Sequence, residues 1–529
     1  MSKTPSWNYF QQHCLQMPEL GMSIDTSRMN APDKLPDSLQ EKFSIAFEQM
    51  QELEKGAIAN PDENQMVGHY WLRNPALAPT EKIQNQINST LDNIQQFAAD
   101  IHQKKIKPQK SAQFRNVLSL GMGGSALGPQ LIHSALGSQD EHMRFYFIDN
   151  TDPDGMDRVI SSIGKGLAET LILIISKSGG TLETRNAMLE VRECCSSAGL
   201  DFARHAVAVS GENSQLAQLA SRENWLGCFP MWDWVGGRTS ILSAVGLLPA
   251  ALLGVNISSL LNGAKIMDEL TRRAKITENP AAVLAWMLHH AGGGRGQKAM
   301  VMLPYKDRLI YLSPYLQQLV MESVGKEKDL KGKTVNHGLT VYGSKGSTDQ
   351  HSIGQQLRDG PDDFFVAFIE VLKDREHHSI EVEPEVTSGD FLQGFLLGTR
   401  DALFQKGRAS LTITLEELNS QTLGALIALF ERAVGLYANL IGLNAYHQPG
   451  VEAGKLAADD VIKLSVKIQN YLKSNPGQKF DAVKISDALE ESGKAETVYK
   501  LLQHLAANRR ILKFPGKDQF SSFFQACIQ

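Results

Sequence analysis

The sequence predicts an α/β protein with two parallel sheets in tandem. Its 529 residues are too many for one ordinary domain, because domains usually hold about 150 residues. From residue 111 onward, short apolar runs alternate with helix-length stretches, the pattern of βαβ units and a parallel sheet. A second series of the same kind begins near residue 298, so one sheet should follow the other along the chain.

Residues 1–110 are expected to form a helical segment that packs on the second sheet domain. Stretches such as "DSLQEKFSIAFEQMQELEKGAIAN" place apolar residues at three- and four-residue intervals, as an amphipathic helix does. We interpret this segment as scaffold rather than as part of the reactive site.

The strands of both sheets are predicted from runs of large apolar residues. The first domain, residues 111–285, holds "NVLSL" (116–120), "RFYFI" (144–148), "TLILII" (170–175) and "AVAVS" (206–210). The second domain, residues 286–470, holds "KAMVML" (298–303), "LTVYG" (339–343) and "FFVAFIEVL" (364–372). Helix-length stretches separate these runs, as parallel strands require.

A small C-terminal module is predicted over residues 471–529. The stretch "NYLKSNPGQKF" has the proline and glycine of a linker. Two helical patterns and a short apolar run follow it, in an order similar in outline to a winged-helix module.

Composition and charge favour a cytoplasmic enzyme or binding protein that acts on a small molecule. The chain is 42% hydrophobic and 21% charged, and its net charge of −5 gives no reason to expect nucleic acid or an anionic membrane as a partner. Five sparse cysteines lack the CxxC spacing of a zinc site, so reduced thiols are expected. The most apolar stretch, residues 241–255, is shorter than the ~20 residues of a bilayer crossing and contains Pro249, which predicts a buried, kinked helix.

The first strand of the first sheet leads into a glycine-rich loop, "LGMGGSALGPQL". Gly121, Gly123 and Ala126 fit the G-x-G-x-x-G/A fingerprint of dinucleotide-binding proteins, and Asp149, at the end of the next strand, lies roughly where such proteins carry the acid that binds the ribose. The same glycines also suit a tight turn from strand to helix, and the two interpretations stay open at this point.

A second loop of this type, "SKSGGTLET", follows the strand at residues 170–175. Ser176, Ser178 and Thr181 offer hydroxyl groups and Lys177 offers a charge at the start of a helix, where backbone amides and the helix dipole favour an anion. A phosphate is the expected ligand. The alternative is a helix cap, which uses the same amides.

Two further segments carry isolated charges beside apolar helices. In "WDWVGGRTSILSAVG", two glycines bring Arg238 into a turn next to the most apolar helix, where a guanidinium needs an anionic partner. In "YLQQLVMESVGKEKD", Gln318 and Glu322 share a helix face. Apolar neighbours would raise the pKa of the Glu322 carboxylate, as a general base working near neutral pH needs. A capping arginine and a solvated glutamate are the ordinary alternatives.

A histidine and a lysine complete the candidates. His351 lies at the start of a helix in "VYGSKGSTDQHSIGQQLRDG", where it is either a general acid/base or a residue facing water. Lys455 follows two glycines at the start of a helix in "NAYHQPGVEAGKLAADD", where its charge opposes the helix dipole. That unfavourable placement is an argument for a function.

The order of six segments resembles the glucose-6-phosphate isomerase family. The segments are "GMGGSALGP", "SKSGGTLET", "GGRTS", "MESVGK", "GSTDQHSIGQQLRDG" and "QPGVEAGK", spread over residues 121–455. The resemblance implies two tandem sugar-isomerase (SIS) domains. It also implies interconversion of glucose 6-phosphate and fructose 6-phosphate without a metal or any other cofactor.

The same resemblance implies a set of substrate contacts. The positions that bind the phosphate in this family correspond to Ser176, Lys177, Ser178 and Thr181, with Ser125 from the glycine loop, and Gly124 is a further substrate-binding position. Those that contact the sugar correspond to Gln318 and Gln448.

The resemblance also implies the catalytic roles. Glu322 corresponds to the base that moves a proton between C1 and C2, and Arg238 to the cation that stabilises the enediolate. His351 and Lys455 correspond to the pair that opens the sugar ring. Relatives are homodimers in which the histidine reaches the neighbouring subunit's site, so a homodimer is expected.

Two other functions are considered. An NAD-dependent oxidoreductase would use Gly121, Gly123 and Ala126, but it leaves the "SKSGG" loop and Lys455 without a role. A non-catalytic sugar-phosphate sensor would have no need for Glu322 together with its charged companions.

Overall fold

The computed structural model describes residues 5–137 and 142–527, without the side chains of residues 451–453, 455 and 456. The chain divides into two units, residues 1–447 and residues 448–529. The division lies earlier than the boundary predicted at residues 470–471, because one helix of the second unit, Pro449–Ser474, runs across that boundary.

The N-terminal segment contains strands as well as the expected helices. Its elements are α1 (Trp7–Gln12), β1 (Cys14–Met17), β2 (Met22–Arg28), α2 (Asp37–Glu54), β3 (Ile58–Asn60), β4 (Gln65–Met66), 3-10 turns at Pro18–Leu20, His69–Arg73 and Pro75–Leu77, and α3 (Glu81–His102). The mostly helical prediction missed β1 and β2. The reason is visible in β2, whose buried face includes Asp25 and Arg28 in ion pairs with Arg400 and Asp401 rather than apolar residues alone.

The first sheet has five parallel strands, including the four that the sequence predicted. They are β5 (Asn116–Leu120), β6 (Arg144–Ile148), β7 (Thr170–Ser176), β8 (Ala206–Ser210) and β9 (Gly227–Pro230), in the order β6-β5-β7-β8-β9. Around them lie α4 (Gly124–Leu136), α5 (Pro153–Ile163), α6 (Leu182–Ser197), α7 (Gln215–Arg222), α8 (Ala244–Leu253) and α9 (Ile257–Leu270), with 3-10 turns at Gly164–Glu169, Phe202–Arg204, Gly237–Thr239 and Ile276–Glu278. The chain leaves β5 toward β6 on one side and leaves β7 toward β8 on the other. The topological switch point therefore lies between β5 and β7, where a doubly wound sheet binds its ligand.

The second sheet repeats this topology and is extended by the N-terminal strands. Its elements are α10 (Pro280–Ala291), β10 (Ala299–Pro304), α11 (Leu312–Leu316), β11 (Lys326–Lys328), β12 (Thr334–His337), β13 (Val341–Tyr342), α12 (Gly354–Asp359), β14 (Phe364–Val371), β15 (Glu381–Glu383), β16 (Val386–Thr387), α13 (Ser388–Gln405), β17 (Ser410–Leu415) and α14 (Ser420–Leu440), with 3-10 turns at Asp307–Leu309 and Asp349–His351 and a π-helix at Gln317–Glu322. The sheet order is β1-β2-β17-β14-β10-β13. Strands β10, β13, β14 and β17 are parallel, and β2 pairs antiparallel with β17. The predicted α/β fold with two sheets in tandem is confirmed.

Helix α14 runs through the core of the first unit. By length and hydropathy it is the one helix among the described residues that could cross a membrane, yet 94% of its apolar window is buried inside the protein. The stretch at residues 241–255 contains α8 with Pro249 inside it, as the sequence predicted.

The second unit has its own small core. It consists of α15 (Pro449–Ser474), α16 (Ala482–Ala488), a 3-10 turn at Ser492–Lys494, α17 (Ala495–Ala507), β18 (Ile511–Phe514) and β19 (Phe523–Ala526). Ile468, Ile485, Val498, Leu502 and Phe524 are fully buried in it. The winged-helix interpretation stays a prediction.

Candidate active site

The glycine loop after β5 lies directly against the loop that carries Arg238. Gly123 has a φ of +53°, which favours glycine. A Cβ on Gly124 would come within 1.9 Å of the carbonyl oxygen of Gly237, so a residue with a side chain cannot occupy this position without moving the backbone. The glycines thus allow two loops of the first sheet to meet.

The hydroxyl loop after β7 is ordered by its own side chains. The Ser176 hydroxyl donates to the Thr181 hydroxyl over 3.1 Å, and the Ser178 hydroxyl accepts from the backbone amide of Gly180 over 3.2 Å. Thr181 occupies the N-cap position of α6, but its side chain makes no capping hydrogen bond within the described part of the chain. The capping interpretation of Thr181 is therefore wrong, which leaves the first amides of α6 for another partner.

Lys177 braces the hydroxyl loop against the segment before Arg238. Its ammonium donates to the carbonyl oxygens of Asp233 and Val235 over 2.9 and 3.1 Å. Burial lowers the pKa of this ammonium, and the charge of Asp233 acts in the opposite direction. The side chain is directed to the neighbouring loop rather than to the hydroxyl groups of its own.

Arg238 is a buried cation held by backbone oxygens. Only 6% of the residue is exposed, and its Nη2 donates to the carbonyl oxygens of Ala445 and His447 over 2.6 and 3.2 Å. Burial lowers the pKa of the guanidinium, whereas Glu322 opposes that effect. The Nη1 atom lies 3.3 Å from Oε1 of Glu322, so the anionic partner expected for this arginine is a carboxylate of the second domain.

Glu322 and Gln318 lie on the π-helix that follows α11. The Gln318 amide donates to Oε2 of Glu322 over 3.0 Å, as their predicted common face allows. A Cβ on Gly123 would lie 3.0 Å from the same amide nitrogen, so the glycine loop also approaches Gln318. Glu322 keeps 21% of its side chain exposed, which leaves it accessible to a small molecule. π-Helical turns occur often at functional sites.

The remaining predicted residues are His351, Gln448 and Lys455. His351 is exposed at the end of the 3-10 turn Asp349–His351, and its ring forms no hydrogen bond or ion pair with the residues that the structure describes. Gln448 is the N-cap residue of α15 in the second unit, and the side chain of Lys455 lies outside the described residues. The structure thus brings together Glu322, Gln318 and Arg238 with the two loops of the first sheet.

Three features of this site were missed in the sequence. The carbonyl acceptors of Arg238 are backbone atoms, which leave no signal in residue types. His447, which lies 3.3 Å from the carboxylate of Asp62, was not among the predicted residues. The segment "NAYHQPG", in which it stands, was the available signal. Burial lowers the pKa of the His447 ring. Lys326, the last residue of "MESVGK", donates to the carbonyl oxygen of Glu322 over 2.6 Å.

A carboxylate against a buried guanidinium, beside two loops suited to an anion, fits proton transfer on a phosphorylated small molecule. The fold and the site thus define a phosphosugar isomerase of the α/β class. The chain belongs to the phosphoglucose isomerase family, whose model matches residues 28–400 and 395–478.

Similar proteins extend the match over the whole chain. A glucose-6-phosphate isomerase of Desulfitobacterium hafniense (strain Y51) is 56% identical over 503 residues, which are 95% of this chain and 94% of that protein. One of Acaryochloris marina is 54% identical over 529 residues, 100% of both chains. The crystal structure of a glucose-6-phosphate isomerase from Chlamydia trachomatis is similar with a TM-score of 0.78 at 26% identity, and the match covers 87% of this chain and 91% of that one.

Family membership decides against the oxidoreductase alternative. Asp149, the acid considered for a ribose, accepts a hydrogen bond from the Gln130 amide over 2.8 Å. The glycine loop is better explained by its contacts with Gly237 and Gln318 than by a dinucleotide. The sensor alternative loses its basis because the curated relatives carry the name of the enzyme.

Proposed function

We propose that this site interconverts D-glucose 6-phosphate and D-fructose 6-phosphate, the aldose–ketose isomerisation of its family in glycolysis and gluconeogenesis. The observation that carries the proposal is the contact of Glu322 with the buried guanidinium of Arg238 over 3.3 Å, with Gln318 holding the other carboxylate oxygen. A fixed base beside a fixed cation is what transfer of a proton through a cis-enediolate requires.

The phosphate of the substrate is assigned to the switch point of the first sheet. Helices α4 and α6 both begin there, so their amides and dipoles favour an anion. The proposed contacts are Gly124, Ser125, Ser176, Ser178 and Thr181, with Lys177 holding the loop in place. Binding at the phosphate, away from the reacting carbons, supplies orientation for the chemical step.

Glu322 is the proposed base. It removes the proton from C2 of the open-chain aldose and returns it to C1, and in the reverse direction it acts from C1 to C2. Negative charge develops on the oxygens of both carbons, where the Arg238 guanidinium stabilises it without reorganisation because two carbonyl groups already fix its position. Gln318 keeps the carboxylate oriented and also contacts the sugar.

Ring opening is assigned to His351 and Lys455, with Gln448 as a further sugar contact. His351 is exposed on its own chain, which supports a homodimer in which this ring serves the neighbouring subunit's site. The reaction uses neither a metal nor an organic cofactor in this proposal, and the enzyme acts in the cytoplasm.

The test is the pair of variants Glu322→Gln and Glu327→Gln in a coupled assay with fructose 6-phosphate. Glu327 is exposed five residues further on and serves as the matched control. The first variant should lose about 10⁴-fold in kcat, the upper range for a lost general base, while it still binds 6-phosphogluconate. Turnover within about twofold of the control would refute the assigned base.

A further inference from the structure

Lys326 is a buried lysine at the carboxyl end of the π-helix. The residue begins β11 and is only 6% exposed. Its ammonium donates to the carbonyl oxygen of Glu322 over 2.6 Å, and the amide of Gly325 donates to the carbonyl of Met321 over 2.8 Å as the chain leaves the helix. Lys326 therefore caps the last turn of the segment that carries the proposed base.

The charges around this ammonium come from several elements. Arg238 faces it from the loop before α8, and the Glu322 carboxylate from the π-helix. His447 faces it from the segment after α14, and His337 is its cross-strand neighbour on β12. Burial and the Arg238 charge lower the pKa of Lys326 to about 8, although Glu322 acts in the opposite direction.

Lys326 and Arg238 place two buried cations beside the Glu322 carboxylate, and the charge of Glu63 also acts on Arg238. This arrangement becomes more favourable when further negative charge arrives. A buried ammonium is costly to desolvate, and an apolar side chain of the same length would fill the space without that cost. When an enediolate forms next to Lys326 and Arg238, the attraction of both cations to its negative charge offsets the repulsion between them. An interaction that improves only in the transition state raises kcat rather than affinity.

We propose that Lys326 is a positioning residue of the isomerisation, which fixes the turn that presents Glu322 and adds a second positive charge to the site of the enediolate. This inference rests on the proposed role of Glu322. It predicts an effect on turnover and on its pH dependence rather than on substrate binding.

The experiment compares Lys326→Met, Lys326→Arg and Lys328→Met in the full-length enzyme. Lys328 lies on the same strand with its side chain exposed and is the matched control. Lys326→Met should lower kcat about tenfold or more, equivalent to ~1.4 kcal/mol of activation free energy, with KM within about threefold of the control. Lys326→Arg should recover most of this loss because it keeps the charge and a donor.

The pH profile separates this role from a purely structural one. The protonated ammonium is the useful form, so wild-type kcat should fall as the pH rises through about 8. The Arg variant should lose this alkaline decline, because a guanidinium stays charged over the whole range. The pH profile of Lys326→Arg also tests the proposal if Lys326→Met does not fold. An unchanged alkaline decline of kcat in Lys326→Arg overturns the proposal.

Two results separate this inference from the assignment on which it rests. If Glu322→Gln is inactive but Lys326→Met keeps the kcat of Lys328→Met, only the role of Lys326 is wrong. If Glu322→Gln keeps its turnover, the proposed base itself is wrong, and the proposal for Lys326 falls with it.

Discussion

Replacement of Glu54 by glutamine should lower the free energy of unfolding, because it removes the carboxylate of a buried ion-pair network. This network is distant in sequence from the proposed base. Glu54 ends α2, and its carboxylate receives two hydrogen bonds from Arg272, over 2.9 and 3.1 Å, and one from Arg432 over 2.5 Å. Arg432 lies on α14, and its guanidinium also lies 4.0 Å from the ring centre of Tyr70. The carboxylate thus ties an N-terminal helix to the core helix of the first unit.

The pKa of Glu54 gives the size of the effect. Burial alone would raise this pKa, but Arg432 and Arg272 outweigh burial and lower it from 4.5 to about 2. At about 1.36 kcal/mol for each pH unit, the charged form stabilises the fold by ~3 kcal/mol near pH 7. Only 13% of the side chain is exposed, so solvent screening reduces this value little.

The pH dependence of the effect has a definite sign. Because the folded-state pKa lies below that of an exposed glutamate, the unfolded chain binds more protons between these two values. The contribution of Glu54 is therefore complete above pH 4.5 and disappears as the pH falls toward 2. By about pH 3 it should amount to ~1 kcal/mol.

Urea unfolding of Glu54→Gln and wild type at several pH values measures this contribution. Glu48→Gln, an exposed position on the same helix, is the control and should change the free energy of unfolding by less than about 0.5 kcal/mol. The reasoning is refuted if Glu54→Gln costs no more than the control near neutral pH. It is also refuted if the difference between variant and wild type does not shrink on acidification.

Two predictions concern the proposed site. Arg238→Lys should lower kcat about 10²-fold in the coupled assay, since an ammonium cannot hold both carbonyl groups and still reach Glu322; a loss below about threefold would contradict this. Lys177→Met should raise KM about tenfold, because the hydroxyl loop loses its bonds to the Asp233 and Val235 carbonyls; an unchanged KM would show that the brace does not matter.

The strands with long apolar runs could be predicted from the sequence, whereas the mixed ones could not. β5, β6 and β8 have the bounds expected. β5 and β8 are buried along their whole length, and such parallel strands read as hydrophobic runs. β6 is a partly exposed edge strand, but its aromatic and β-branched residues are typical of a strand. β9 is four residues long and contains glycine and proline, which hide it among loop signals. β2 and β17 contain polar residues that take part in tertiary contacts, such as Arg400 with Asp25 and Thr412.

The site was predictable to the extent that its chemistry lies in residue types at the ends of strands. A carboxylate and an amide four residues apart had to share a face, and the structure joins Gln318 to Glu322. The direction of a long side chain depends on loops from other elements, so the attachment of Lys177 to Asp233 and Val235 could not be deduced. The contact of Lys326 with the Glu322 carbonyl could not be deduced either, because its partner is a backbone atom.

The way Arg238 is anchored bears on how the proposed reaction proceeds. Its Nη2 is occupied by two carbonyl groups, so the guanidinium stays in place when a substrate arrives, and the contact of Nη1 with Glu322 is open to exchange. At 3.3 Å this contact is longer than a strong charge-assisted hydrogen bond, which makes its replacement by a substrate oxygen inexpensive. Gln318 continues to hold the carboxylate during that exchange. The base and the cation can therefore both act on the substrate from positions fixed before it binds, which is the condition for electrostatic stabilisation without reorganisation.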